Sequence, residues 1–337
     1  MGPAKRLRRL ATRIARRFAR PCAVLMYHRI AEDPVDPWGL CVAPDRFAEQ
    51  LAVLSEHCEV VPLRELRQRL ASAPVARPLV AITFDDGYAD NLRTAKPLLA
   101  RAGLPATVFI TTGQIGATRE FWWDELEQLL LHDAPLPPRA NISFGGQSVA
   151  WDLSDRQHAY RAIWEKLQPL PEDQRTAALD ALAEALGRPA VVRGSHRILA
   201  APEVAELAAG GLIEIGAHTV THARLTGLGA REQLREMTES KAALEALLER
   251  PVTSFAYPFG DHDPAAVRCA GDAGFSLACT TEERPVSRRD DPLALPRFAV
   301  GNLDGDGFLS WLRESQLLRT KGSARATVGS RAPVAGS

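Results

Sequence analysis

Eight short apolar runs punctuate the chain: VLMYH at 24–28, EVVPL at 59–63, LVAITF at 79–84, ATVFIT at 106–111, LIEIGA at 212–217, TSFAY at 253–257, FSLACT at 275–280 and RFAV at 297–300. Their apolar residues follow one another directly instead of alternating with polar ones. That pattern predicts strands buried on both faces, as in a parallel sheet covered by helices. Between the runs, apolar positions recur with a helical period over 45–56, 90–102, 202–209, 231–249 and 263–273. Strand and helix in strict alternation predict βαβ units, and seven or eight strands favour an α/β barrel over an open sheet. The stretch 118–197 breaks the rhythm and is too long for an ordinary βα connection. It reads as a mainly helical insertion covering one end of the barrel: an amphipathic helix around FWWDELEQLLL, a PLPP breaker, a hairpin over ISFGGQSVAWDLS, and two more helices.

The ends read differently. Residues 1–20 hold eight Lys or Arg and no acid, with Leu7, Leu10, Ile14 and Phe18 at helical spacing. This predicts a basic amphipathic leader over 1–21, either lying on an anionic membrane surface or unstructured. It lacks the apolar core of a conventional export signal. Residues 319–337 carry few large apolar side chains and read as a disordered tail, which leaves 22–318 for the barrel.

At 46% hydrophobic and 24% charged residues over 337 positions, the chain has the balance of a globular protein with a sizeable core, so disorder throughout is excluded. No apolar run approaches the roughly 20 residues of a membrane-spanning helix. The formal charge is zero, yet outside the leader 33 basic residues face 41 acidic ones. So acidic a body argues against nucleic acid as a partner. The cysteines, Cys22, Cys41, Cys58, Cys269 and Cys279, are odd in number and contain no C-x-x-C pair, which argues against a disulfide scaffold or zinc knuckle. The simplest setting is the cytoplasm, with residues 1–20 giving peripheral contact to the inner membrane.

Catalytic groups in a βα barrel sit at the C-terminal ends of the strands. There the chain places His28, the pair Asp85 and Asp86 before Gly87, and His218 with His222 four residues on. Two histidines spaced i, i+4 on one helical turn can face one ion, and a carboxylate from another strand completes a site open to water. A second, adjacent carboxylate is then free to act as a base. Each signal alone is also that of a capped histidine pair or an ordinary Asp-Asp-Gly turn; their convergence on one rim favours a metal site.

The runs TFDDGYADN at 83–91, HTVTH at 218–222 and FAYPFG at 255–260 resemble, in order and separation, the motifs of the polysaccharide deacetylase family, the NodB-homology domain of carbohydrate esterase family 4. The resemblance extends over about 24–300. The MYHRI opening, the FWWDEL segment and the ESKAALE helix are similar to bacterial members associated with glycan biosynthesis. What it implies is a distorted (β/α)7–8 barrel and a metal-dependent hydrolase that removes N-acetyl groups from an amino-sugar-containing glycan or precursor, such as a lipid-linked sugar. The implied cofactor is a divalent metal, Zn²⁺ in the first place, with Co²⁺ or Ni²⁺ as alternatives. Carried onto this chain, Asp86, His218 and His222 match the ligands and Asp85 the base acting on metal-bound water. The backbone N–H of Phe259 matches the oxyanion donor.

The chain also departs from the family pattern. Ala256 and Tyr257 stand where many members carry an Arg that holds the base, so Arg297 is the candidate orienter. No His follows His262, which removes the family's usual acid and leaves His28 as first candidate and His262 as second. Tyr88, Tyr257, Pro258 and Trp123 are the candidate substrate contacts, with Trp122, Asp124 and Asn91 in the same neighbourhoods. His57, His132, His158 and His196 read as structural or exposed. An inactive glycan-binding barrel is the competing function. Glycoside cleavage suits adjacent carboxylates poorly, because it needs a pair flanking the glycosidic bond.

Overall fold

The computed structural model describes residues 21–72, 77–132, 135–144 and 147–318. The leader and tail readings for 1–20 and 319–337, and the hairpin tip at 145–146, lie outside the described residues. The strands are β1 (Cys22–Tyr27), β2 (Arg29–Ile30), β3 (Cys41–Val42), β4 (Glu59–Val60), β5 (Leu79–Phe84), β6 (Ala106–Ile110), β7 (Arg139–Phe144), β8 (Gln147–Asp152), β9 (Ile213–Ala217), β10 (Ser254–Ala256), β11 (Leu277–Cys279) and β12 (Phe298–Ala299). The helices are α1 (Pro44–His57), α2 (Leu63–Ala71), α3 (Lys96–Ala102), α4 (Trp122–Leu131), α5 (Arg156–Leu167), α6 (Glu172–Ala185), α7 (Ala201–Ala208), α8 (Ala230–Leu248), α9 (Pro264–Asp272) and α10 (Gly305–Glu314).

All eight apolar runs become strands of one parallel sheet, ordered β11-β10-β9-β6-β5-β1-β12, with β4 beside the start of β5. The chain near its last strand joins the two ends of this sheet. Leu295 exchanges backbone hydrogen bonds with Ala278 and Thr280 beside β11, while Phe298 and Ala299 pair with Leu25 and Met26 of β1. The result is a distorted barrel. Alternation is less strict than the sequence suggests, because no helix separates β11 from β12 among the described residues.

Side-chain parity then fixes what faces inward. Cys22, Val24, Leu79, Ala81, Phe109, Ala256, Leu277, Cys279 and Leu295 form the buried interior, with Leu63 and Leu66 of α2 in the same cluster. The intervening residues, including Leu25, Tyr27, Val80, Ile82, Val108 and Ile215, belong to the larger cluster under the helices. Continued two residues at a time, the inward rows reach His28 from β1, Asp85 from β5, His218 from β9 and Thr281 from β11.

The insertion has its own core, in which α4, α5 and α6 and the β7–β8 hairpin bury Phe121, Leu126, Leu130, Ile142, Tyr160, Ile163, Leu179 and Leu182. Its return segment bridges back to the first motif: Ile198 pairs with Tyr88, and Leu199 donates to the Gly87 carbonyl. All five cysteines are buried and free.

Candidate active site

Asp85 ends its strand row fully enclosed, and Arg297 grips it from the opposite edge of the barrel. The two Nη groups donate to Oδ1 and Oδ2 of Asp85, both at 2.7 Å. The Arg297 Nε donates to the Thr280 carbonyl at 2.9 Å, and Nη1 also reaches Thr83 Oγ1 at 3.2 Å. Burial alone would push the Asp85 pKa up; the charge and paired hydrogen bonds of Arg297 outweigh it and hold the carboxyl below its usual value.

Asp86 reaches the same rim by breaking strand geometry. Its φ of 74° turns the backbone left-handed, so two consecutive side chains serve one site instead of opposite faces. Six non-glycine residues have positive φ among the described residues, and Asp86, Thr219, His222 and Phe259 are four of them. Such conformations cost about 1–3 kcal/mol each and collect at functional sites. They also correct the helical-turn reading of 218–222. The HTVTH segment is a loop, held by Glu236, whose carboxylate accepts the backbone N–H groups of Val220 and Thr221 at 2.8 and 3.0 Å.

His218 and His222 place Nε2 at 3.5 and 3.3 Å from Asp86 Oδ1. His218 Nδ1 lies 2.7 Å from the Ala256 carbonyl oxygen, which only accepts, so Nδ1 carries a proton and Nε2 is the nitrogen turned to Asp86. Burial lowers the His222 pKa despite Asp86 beside it. Asp86 Oδ1 is buried with no hydrogen-bond donor, and one ligand atom from each of the three residues lies within 4.8 Å of the others. Two imidazole nitrogens and one carboxylate oxygen are the donor set of an open hydrolytic zinc site, so these residues fit a divalent cation. A second group, Asp124, Glu127 and His196, is similarly close, but its carboxylates are taken up by Tyr88 and Arg193.

A cleft opens over these groups, lined by Met26, His28, Trp38, Leu40, Asp85, Asp86, Trp123, Trp164, His218, His222, Phe259 and Thr281. His28 and Trp123 therefore stand on the cleft wall. Phe259, at φ 59°, lays its ring 4.7 Å from that of His222. Gly260 follows at φ 68°, where an added Cβ would lie 2.0 Å from Thr281 Oγ1, so only glycine lets this turn approach the Thr281 wall.

Three expected substrate contacts require correction, because Tyr88, Tyr257 and Pro258 are absent from the cleft wall. Tyr88 is fully buried in the insertion core, its hydroxyl donating to Asp124 at 2.7 Å and accepting from Trp123 Nε1 at 3.0 Å. Tyr257 has the outward parity of β10 and donates to the Leu293 carbonyl at 2.8 Å. Pro258 is buried beside it. Asp124 is likewise enclosed, Asn91 donates to the His28 carbonyl, and His262 turns toward the Gly260 carbonyl. His196, read as structural or exposed, is buried 2.9 Å from Asp33.

Two large cleft residues escaped the sequence reading. Trp38 comes from the β2–β3 connection and donates to the Tyr160 hydroxyl at 2.8 Å; Trp164 of α5 lies 4.9 Å from its ring. Trp164 is spaced with Tyr160, Ile163 and Leu167 as a core residue would be, so its pattern carries no signal of a cleft.

Comparison with known proteins places these features in context. The family model described as polysaccharide deacetylase matches residues 72–134 and 171–278, just over half of the chain. YxkH of Bacillus subtilis (strain 168), itself described at the level of this family, is 21% identical over 234 residues, covering 69% of this chain. The chain spans 56% of the length of that relative. Among solved structures, the Streptococcus pyogenes deacetylase PplD in complex with acetate superposes with a TM-score of 0.58 at 20% identity, covering 86% of this chain and 97% of its own. IcaB from Ammonifex degensii gives 0.55 at 19% identity, covering 87% and 97%.

Proposed function

The chain belongs to the polysaccharide deacetylase family, and from that membership and the site geometry we propose that it hydrolyses N-acetyl groups from an amino-sugar-containing glycan or glycan precursor. The observation that carries this reading is the Asp85 carboxylate, fixed by Arg297 and adjacent to the Asp86, His218 and His222 donors at the floor of one cleft.

Asp86, His218 and His222 would hold a divalent cation, Zn²⁺ first and Co²⁺ or Ni²⁺ as alternatives. Such an ion polarises an acetamide carbonyl and acidifies water toward a pKa of about 7. Asp85, kept ionised by Arg297, accepts the proton of the attacking water. The backbone N–H of Phe259, which makes no hydrogen bond among the described residues, donates to the oxygen that becomes negative. His28, on the same wall, returns a proton to the departing amine, so the products are acetate and a free amino sugar. Trp38, Trp123 and Trp164 line the cleft that would receive the pyranose. The basic residues 1–20 would bring the barrel to an anionic membrane surface, where lipid-linked sugars reside.

The test is acetate release from N-acetylglucosamine oligosaccharides and lipid-linked N-acetylated sugars, with and without Zn²⁺ or Co²⁺, for the native chain and Asp85→Asn. Metal-dependent release, abolished in the variant, is expected. A metal-loaded chain that binds these glycans yet releases nothing would overturn the reading in favour of a glycan-binding barrel.

A further inference from the structure

The two histidines of the donor set are fixed in different ways. His218 is tied through its ring, with Nδ1 2.7 Å from the Ala256 carbonyl oxygen. His222 has no such tie, because its Nδ1 is buried without a hydrogen-bond partner among the described residues. Its ring is packed instead by Phe259 at 4.7 Å, Trp123 at 4.8 Å and Phe121 at 5.9 Å between centroids. A ligating histidine ordinarily takes its orientation from a hydrogen bond on the nitrogen that does not face the metal. For His222 that orientation has to come from ring packing and from the backbone that carries it.

That backbone is clamped from two sides. On one side its carbonyls are taken up by the end of β6: Thr112 N–H donates to the Thr219 carbonyl at 3.1 Å, and Gly113 N–H to the Val220 carbonyl at 2.8 Å. An added Cβ at Gly113 would lie 2.5 Å from the Val220 oxygen, so this approach requires glycine. On the other side its N–H groups are taken up by Glu236 of α8, a buried residue. Glu236 Oε2 accepts from Val220 and Thr221 at 2.8 and 3.0 Å, and Oε1 accepts from the Thr221 hydroxyl at 3.1 Å. Thr219, at φ 64°, turns the two N–H groups toward one point, and such consecutive amides form a concavity for an anion. Here the protein supplies the anion itself. His222 leaves the clamp at φ 55°, and two left-handed non-glycine residues within five persist only where their surroundings over-determine them.

We infer that Glu236 is the positioning residue of His222, filling the backbone concavity before it and so setting, from a helix outside the cleft, how tightly the site holds its cation. This rests on the reading of Asp86, His218 and His222 as metal ligands and deepens it: His218 is held by its own ring nitrogen, whereas His222 is held through the main chain.

The experiment uses the full chain and needs no turnover. Zn²⁺ affinity is measured by competition with a chromophoric chelator, the visible absorption bands are recorded with Co²⁺ bound, and the metal-free Tm is taken alongside. Glu236→Gln keeps the length of the side chain and one acceptor oxygen, Glu236→Ala removes both, and Leu244→Val is a control in the core about two turns further along α8. Glu236→Gln should weaken Zn²⁺ binding about tenfold and Glu236→Ala about a hundredfold, the range that loss of a ligand's supporting contacts gives. The Co²⁺ bands should shift in both, since the ligand geometry changes. Leu244→Val should lower the metal-free Tm and leave affinity and bands native. Glu236→Gln alone decides the matter if Glu236→Ala does not fold. A native chain that binds zinc, with unchanged affinity and bands in Glu236→Gln, overturns the assignment and leaves the ligand reading intact. So does a control that loses as much zinc affinity as Glu236→Gln at an equal loss of Tm, because the effect is then one of general stability. No zinc uptake by the native chain overturns the ligand reading and the assignment together.

Discussion

Arg297 and Asp85, 212 residues apart in sequence, meet through two parallel hydrogen bonds of 2.7 Å, the guanidinium enclosed in the barrel and the carboxylate at the floor of the cleft. The pair aims the carboxylate and keeps it ionised. Arg297→Lys retains the charge but loses the fork, so the carboxylate is free to rotate. The expected result is a kcat/KM about 10²-fold lower, the cost of a misplaced reacting group. The Asp85 pKa should also rise toward its ordinary value, so the acid limb of the pH–rate profile should move to higher pH. A rate loss with an unmoved limb would show a merely structural role.

The three-residue donor set predicts stoichiometric metal binding. After dialysis against a chelator, titration with Zn²⁺ should restore one ion per chain and raise the Tm, by about 2.7 kcal/mol of stabilisation at a hundredfold excess over Kd. His218→Gln and Asp86→Asn should each abolish that rise. Unchanged zinc content in both variants would remove these residues as ligands.

Asp124 carries a pH prediction of opposite sign to that of Asp85. Burial, with Glu120 and Glu127 nearby, pushes its pKa well above the usual carboxylate value despite Arg29 and the Tyr88 hydroxyl. A raised folded-state pKa on an acid favours folding below the unfolded value of about 3.9, and this contribution fades as pH rises. Asp124→Asn keeps an acceptor for Tyr88 and removes the titration. Its Tm relative to the native chain should therefore climb between pH 4 and 8, as read by thermal melts; a gap that is flat or narrows with pH contradicts the assignment.

Trp38 is half-buried on the cleft wall and held by the Tyr160 hydroxyl. Trp38→Ala should raise KM for an oligosaccharide about tenfold while sparing kcat, as expected when binding shared by ground and transition states is lost. A fall in kcat with KM unchanged would assign Trp38 a part in the chemistry itself.

The strands were legible because each is covered on both faces and must be apolar throughout; the rim residues were legible because the last inward position of each row is where a barrel puts its chemistry. What stayed hidden depends on distant partners. Helix α2 buries only Leu63 and Leu66, too few to show a period, and α10 begins with two glycines in its first turn, so its start is marked chiefly by the Asp304 cap. Tyr88 looked like a cleft residue from its place in the first motif, but Asp124 and Trp123 draw its hydroxyl into the insertion. Trp164 looked like core, and it becomes a cleft wall only because the loop bearing Trp38 folds against it. Nothing local to either residue encodes those meetings.

The segment that ties β11 to β1 also carries Arg297. During synthesis, the donors at 86, 218 and 222 and the base at 85 all leave the ribosome before residue 297, and β1 waits for its neighbour β12 until the chain is nearly finished. Domains are made N-terminal part first, so this barrel passes through a stage in which its ligands are present and its base is unheld. Closing the sheet and arming the carboxylate are one event in time. On the proposed function, a nascent chain halted short of about residue 297 would lack the arginine that holds Asp85, and a full hydrolytic rate would report that the last strand has docked.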